Sequence, residues 1–121
     1  MGEITYRHGW RQRDRRIEQD AIAAWEAHGA MPQGVTPEER AQEICCAAYD
    51  GDRLAAISTV EIKPCRPLRN RRFGYLRVFT LPEYEGREIA IGLAIHCRDA
   101  LEAWSKDNPD EKLCGMAAIY H

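Results

Sequence analysis

The chain has little of what marks the specialised classes of protein. Its 121 residues hold only two phenylalanines and three tryptophans, and its charges nearly balance at a formal net of -2. That balance exerts no global pull toward nucleic acid or an anionic membrane. No apolar stretch approaches the ~18 residues a spanning helix needs, and the N-terminal Met-Gly-Glu-Ile-Thr-Tyr-Arg has no apolar signal core. The expectation is a soluble, cytoplasmic protein. No repeat, low-complexity tract or linker composition divides it, so one domain over residues 1–121 is expected.

Paired metal-ligand spacing is missing as well. The cysteines, Cys45, Cys46, Cys65, Cys97 and Cys114, are odd in number and contain no C-x-x-C pair. Buried thiols are the expected reading. Strand alternation would send Cys45 and Cys46 to opposite faces, which argues against a disulfide between them. His8, His28, His96 and His121 show no mutual ligand spacing, so no metal is expected.

What is present is a clear order of elements. Glu3 to Arg7 suits a first strand. Ile17, Ala21, Ile22 and Trp25 then recur at helical spacing up to a natural stop at Gly29. Thr36-Pro37-Glu38-Glu39 supplies a capping threonine, a proline at the first helical position and a reciprocal glutamate, which starts a second, short helix. Ile44–Tyr49 and Leu54–Ile62 flank the turn Asp50-Gly51-Asp52 and read as a hairpin. Lys63 to Arg72 carries two prolines and five basic residues and reads as an exposed loop able to steer an anion. With Phe73 as its only neighbouring aromatic it offers no run of stacking residues, so nucleic acid is not expected as a partner. Phe73–Leu81 resumes as a strand. Ile89, Leu93, Cys97, Ala100, Leu101 and Trp104 form the apolar stripe of the longest helix, stopped by Asp107-Asn108-Pro109. Leu113–Ile119 reads as a buried strand, parallel to the one before the helix.

The turn from Pro82 to Ala90 occupies the place where open α/β sheets bind ligands, beyond the carboxyl end of a strand and at the start of a helix. The first amides of a helix lack internal partners and carry the positive end of its dipole, so an anion satisfies both. Gly86 would let a phosphate approach the backbone. The competing reading is a tight turn at Gly86 with Glu88 capping its own helix.

Leu81-Pro82-Glu83-Tyr84-Glu85-Gly86-Arg87-Glu88-Ile89-Ala90-Ile91-Gly92 resembles the acyl-CoA-binding motif of the GNAT N-acyltransferases, which reads roughly Pro-Glu-Tyr-Arg-Gly-Lys-Gly-Ile-Gly. Upstream, Ala48-Tyr49-Asp50-Gly51-Asp52-Arg53-Leu54-Ala55-Ala56 is similar to that family's second and third strands. The resemblance implies a mixed, mostly antiparallel α/β sheet flanked by helices, lacking the family's last helix and closing hairpin, with strand edges left for a homodimer. It implies acetyl-CoA or another acyl-CoA as co-substrate, held by Phe79, Thr80, Leu81, Gly86, Arg87, Glu88, Ile89, Ala90 and Ile91. An amine on a small molecule or a protein would be the acceptor. Glu61 would act as base and Tyr120 as acid. Glu85 and Glu88 stand where the family has Arg or Gln and its second glycine. An inward Glu88 would repel a pyrophosphate by roughly 4 kcal/mol at 4 Å and an effective dielectric near 20; an outward one would cost little. The alternative implied by these two carboxylates is an inactive, acyltransferase-like assembly module that binds no CoA.

Overall fold

The computed structural model describes residues 3–30, 34–65, 71–86 and 88–118. In chain order the elements are β1 (Ile4–His8), α1 (Arg15–His28), α2 (Pro37–Ala41), β2 (Ile44–Asp50), β3 (Arg53–Cys65), β4 (Arg71–Thr80), α3 (Ile89–Asp107) and β5 (Leu113–Ala118). The five strands lie side by side in the order β1-β2-β3-β4-β5. All neighbouring pairs are antiparallel except β4 with β5, which is parallel. The mixed α/β class and the parallel last pair are as the sequence implied. Among the described residues, no helix is long and apolar enough to cross a membrane.

Local chemistry explains the helix ends. Asp14 caps α1 by accepting from the Ile17 amide at 3.1 Å. Gly29 closes the helix in the left-handed region at φ 57°, which glycine adopts without steric cost. Thr36 Oγ1 accepts from the Glu39 amide at 3.1 Å, with Pro37 opening α2. The Asn108 side-chain amide donates to the Trp104 carbonyl at 2.9 Å and satisfies one of the last carbonyls of α3.

The sheet is packed on both faces. Ile17, Ala21 and Trp25 of α1 and Ala41 of α2 cover Ala47, Tyr49, Leu54 and Ile57. Ile89, Leu93, Cys97 and Leu101 of α3 cover Cys46, Ala48, Ala56, Val60 and Leu76 on the other face. Tyr49 adds a polar tie to α1, its hydroxyl donating to Asp20 at 2.6 Å. Helix α3 comes close enough to β1 that a Cβ on Gly92 would lie 2.1 Å from the Tyr6 hydroxyl. A side chain at Gly92, in the first turn of α3, would therefore displace the Tyr6 ring, so glycine is favoured here by packing rather than by φ.

Two expectations change. The segment from Lys63 to Arg72 is not one loop. Both strands run on, with Lys63 opposite Phe73, Pro64 opposite Arg72 and Cys65 opposite Arg71, which leaves only 66–70 between them and outside the described residues. Proline is tolerated at 64 because β2 ends its pairing opposite Thr59. By strand alternation the Pro64 nitrogen faces that unpaired rim. The last strand is not buried either. As an edge strand it leaves Leu113 and Met116 half-exposed and Cys114 exposed, and Ile119 lies outside the described residues.

Candidate active site

The turn after β4 is anchored to the β2–β3 hairpin. A 3-10 turn, Pro82–Tyr84, buries the Tyr84 ring, whose hydroxyl donates to Asp50 at 2.9 Å. Arg53 ion-pairs with Glu83 and lies over the Tyr84 ring, 5.8 Å from its centroid. Glu83 is thus occupied, while Glu85 is exposed.

Beyond this anchor the backbone takes two left-handed turns. Gly86 has φ +80°, and a Cβ built on it meets nothing within 4 Å. Glu88, the residue before α3, sits at φ 60°, ψ 13°, a conformation that costs a non-glycine residue about 1–2 kcal/mol. Glu88 does not cap the helix with its side chain and is exposed to solvent. Its carbonyl accepts the first helical bond, from Gly92 at 3.2 Å. Among the described residues the amides of Ile89, Ala90 and Ile91 therefore have no acceptor, and they stand at the positive end of a 19-residue helix, where an anion would satisfy them. The Glu88 carboxylate makes no hydrogen bond to these amides and is exposed to solvent. Arg87 lies outside the described residues.

The edge of β4 beside this turn is divided by alternation. The Leu81 amide donates to the Ala55 carbonyl at 2.9 Å. Phe79, opposite Ile57, has the same parity, so its amide also faces β3. Val78 and Thr80 have the opposite parity and face the β5 side. The last described β4–β5 pair is Leu76 with Ala118. Among the described residues, then, β4 has no strand on that side beyond Leu76, and the Val78 and Thr80 backbone groups line the gap. Of the three strand-end residues singled out in the sequence, Thr80 alone presents its amide to the gap.

On the α1–α2 side of the same strands lies a cleft of about 620 Å³, lined by Trp25 and Arg40 from the helices and by Thr59, Glu61, Arg77 and Phe79 from the sheet. It adjoins a second cleft of about 410 Å³ through shared Val35, Arg40 and Glu61, with Glu43 and Trp10 on its far wall. Glu61 is the one carboxylate lining the larger cleft among the described residues. It accepts from Arg77 Nη2 at 3.1 Å and stands 3.9 Å from Lys63 Nζ. The other guanidinium nitrogen, Arg77 Nη1, is buried with no acceptor among the described residues. Tyr120, the expected acid, lies outside them.

Glu43 was not singled out by the sequence. Burial pushes its carboxyl above the ordinary carboxylate range; Arg40, 3.4 Å away, pulls it back and the Glu61 charge pushes it further up. A raised folded-state value means that the folded chain holds this proton more tightly than the unfolded one. The associated stability is full below about pH 4.3, the unfolded value, and is lost as pH rises through the raised value. In Glu43→Gln the slope of unfolding free energy against pH should flatten over that window. Denaturant titrations from pH 4 to 7 measure it.

Arg77, Arg40 and Glu43 escaped the sequence reading because Arg77 on β4 lies far along the chain from Arg40 at the end of α2 and Glu43 in the turn after it. The only sequence trace is a charge at Arg77 between the apolar Leu76 and Val78.

No family model and no curated protein sequence matches the chain. Solved structures do. A predicted acetyltransferase from Clostridium acetobutylicum, crystallised with acetyl-CoA, superposes at a TM-score of 0.54 and 14% identity, over 98% of this chain and 81% of that one. A glucosamine-6-phosphate N-acetyltransferase from Arabidopsis thaliana gives 0.51 and 12%, over 98% and 83%. An aminoglycoside N-acetyltransferase in complex with CoA gives 0.60 and 11%, over 100% and 79%.

Proposed function

We propose, from a chain that has the fold of the GNAT acetyltransferases, that this protein transfers an acyl group, acetyl in the simplest case, from an acyl-CoA to an amine. The observation that carries the reading is the run of amides at Ile89, Ala90 and Ile91 with no acceptor among the described residues, beside a glycine at φ +80° and an exposed Glu88. Structural neighbours crystallised with acetyl-CoA and with CoA support it.

In this reading the pyrophosphate takes the first amides of α3 and passes over Gly86, where no side chain intrudes. Arg87 would add a cation. The pantetheine arm would pair with the free backbone rim of β4, and the Thr80 or Val78 amide would donate to the thioester carbonyl as its oxygen gains charge. This replaces Leu81, whose amide is already spent on Ala55. The acceptor amine would enter the cleft on the α1–α2 side. Glu61 would take its proton directly or through one water, and the free Arg77 Nη1 would hold an oxygen of the acceptor. Attack by the amine nitrogen forms the new amide as the carbon–sulfur bond breaks. The thiolate takes a proton, a role assigned to Tyr120. Neighbours that by name act on glucosamine 6-phosphate and aminoglycosides favour a small-molecule amine over a protein one.

Calorimetric titration with acetyl-CoA and with CoA, repeated at raised salt, tests the reading. Micromolar binding that weakens with salt is expected. Glu88→Gly should raise stability by roughly 1 kcal/mol, because it replaces a left-handed non-glycine residue, and should change CoA affinity by less than about threefold, because an exposed carboxylate is screened. A folded parent that binds neither compound would overturn the enzyme reading. Glu85 and Glu88 favour a second reading, an assembly module without CoA, and that outcome in the parent with binding restored in Glu88→Gly would support it. The rims of β1 and β5 at the two edges of the sheet would serve a homodimer, which light scattering on a size-exclusion column reads directly; a monomer at high concentration counts against it.

A further inference from the structure

Three thiols meet in the core on the α3 side of the sheet, against the expectation that neighbouring cysteines on a strand diverge. The reason is a slip in register. Ile44 faces Thr59 and Cys46 faces Ser58, so Cys45 is an extra residue in β2, a β-bulge. The bulge turns both side chains into the cluster beneath α3. Cys97 descends onto them from the helix, and the three Sγ atoms all lie within 4.8 Å of one another. None is exposed.

Polar groups surround this point. Ser58 Oγ takes the Cys46 amide proton at 3.0 Å and donates to the Cys46 carbonyl at 3.0 Å. A hydroxyl has one proton, so at 2.8 Å it is the Cys97 thiol that donates to Ser58 Oγ. His8 faces Cys46 across β1–β2 and bonds His96 of α3 at 2.9 Å. Apolar packing of small thiols requires neither the bulge nor this hydroxyl.

We propose that Cys45, Cys46 and Cys97 bind one thiophilic divalent cation, zinc in the first instance, with Ser58 Oγ completing a closed tetrahedral site. Zinc–sulfur bonds of about 2.3 Å set tetrahedral sulfurs about 3.8 Å apart, inside the 4.8 Å limit already met. Binding forms three metal–sulfur bonds and releases three thiol protons to solvent. The resulting site carries one net negative charge. The ion would tie the β2 bulge to α3 eight residues after Ile89, and so hold the helix that opens at the free amides. The proposal does not depend on CoA binding.

The test uses the full chain with Cys65→Ser and Cys114→Ser, so that no other thiol competes. It is unfolded under reductant and refolded with one equivalent of cadmium, which reports thiolate ligation by its charge-transfer absorbance and enters before the core closes. We expect one cadmium retained per chain after gel filtration, a Tm at least about 5 °C above the metal-free protein, and zinc retained in the same ratio. Cys97→Ser and Cys46→Ser, either of which suffices, should lose the band and the Tm shift; Ser58→Ala should weaken retention several-fold. A correctly refolded chain with all three thiols reduced that elutes without cadmium would overturn the site, as would a band unchanged in both cysteine variants.

Discussion

Gly86→Val should lower the affinity for CoA at least 100-fold, about 2.7 kcal/mol, while the domain stays folded. Two separate costs are expected, and they are separable. The first is conformational: at φ +80° any side chain is strained, so Gly86→Ala and Gly86→Val should both lose about 1–2 kcal/mol of stability. The second is steric and falls on the ligand alone. A Cβ at this position meets no protein atom within 4 Å, so the fold itself has room for a larger residue. A pyrophosphate lying over the backbone has no such room. Affinity should therefore fall in the order Gly, Ala, Val, and by more than stability does, although β-branched valine adds some further backbone strain to that of alanine. Calorimetry and denaturant titration on the three proteins separate the two trends. A folded Gly86→Val protein that binds CoA as the parent does would remove the phosphate from this turn.

Glu61→Gln should reduce kcat by a factor of about 10²–10⁴, the usual contribution of a positioned general base. The KM for the acyl-CoA should change by less than about twofold, since Glu61 lies across the sheet from the α3 amides. Glutamine keeps the shape and can still accept from Arg77 Nη2, now 3.1 Å from the carboxylate, but it cannot take a proton. The pH profile distinguishes this role from a structural one. Removal of a base should erase the acidic limb of kcat/KM, whereas a merely misplaced Arg77 would lower the whole curve. Steady-state rates on an amine acceptor found by screening supply both readouts. Full activity in Glu61→Gln would pass the role to Glu43, a carboxylate of the adjoining cleft whose burial raises it above the ordinary carboxylate range.

How the site is placed explains what could be read in advance. Gly86 and the first amides of α3 were legible because the argument there is local. A strand, a turn with glycine and a helix start follow one another in the chain, and free amides belong to any helix N-terminus. The direction of the amides after β4 was not legible from the segment alone. Which of Phe79, Thr80 and Leu81 faces the gap depends on the pairing of Leu81 with Ala55, a partner 26 positions earlier. The orientation of Glu88 was undecidable from its neighbours. Its left-handed backbone and its exposure appear only in the folded chain, where Ile89 and Leu93 just after it are buried against the sheet.

By itself the sequence determined the elements whose causes lie within a few residues: the Thr36 cap, the Gly29 stop, the hairpin around Gly51, and the stripe from Ile89 to Trp104 that makes α3 amphipathic. Only the tertiary structure decided the rest. The extra residue at Cys45, the extension of β3 and β4 through Pro64 and Arg72, the cleft shared by Glu61, Arg77 and Arg40, and the meeting of Cys45, Cys46 and Cys97 all depend on register between strands and on the seating of helices across them. The physical reason is range. Capping, turn formation and amphipathic periodicity act over three or four residues, and composition records them. Strand register is fixed by burying two faces of one sheet at once, a condition on residues far apart in the chain that no single segment contains.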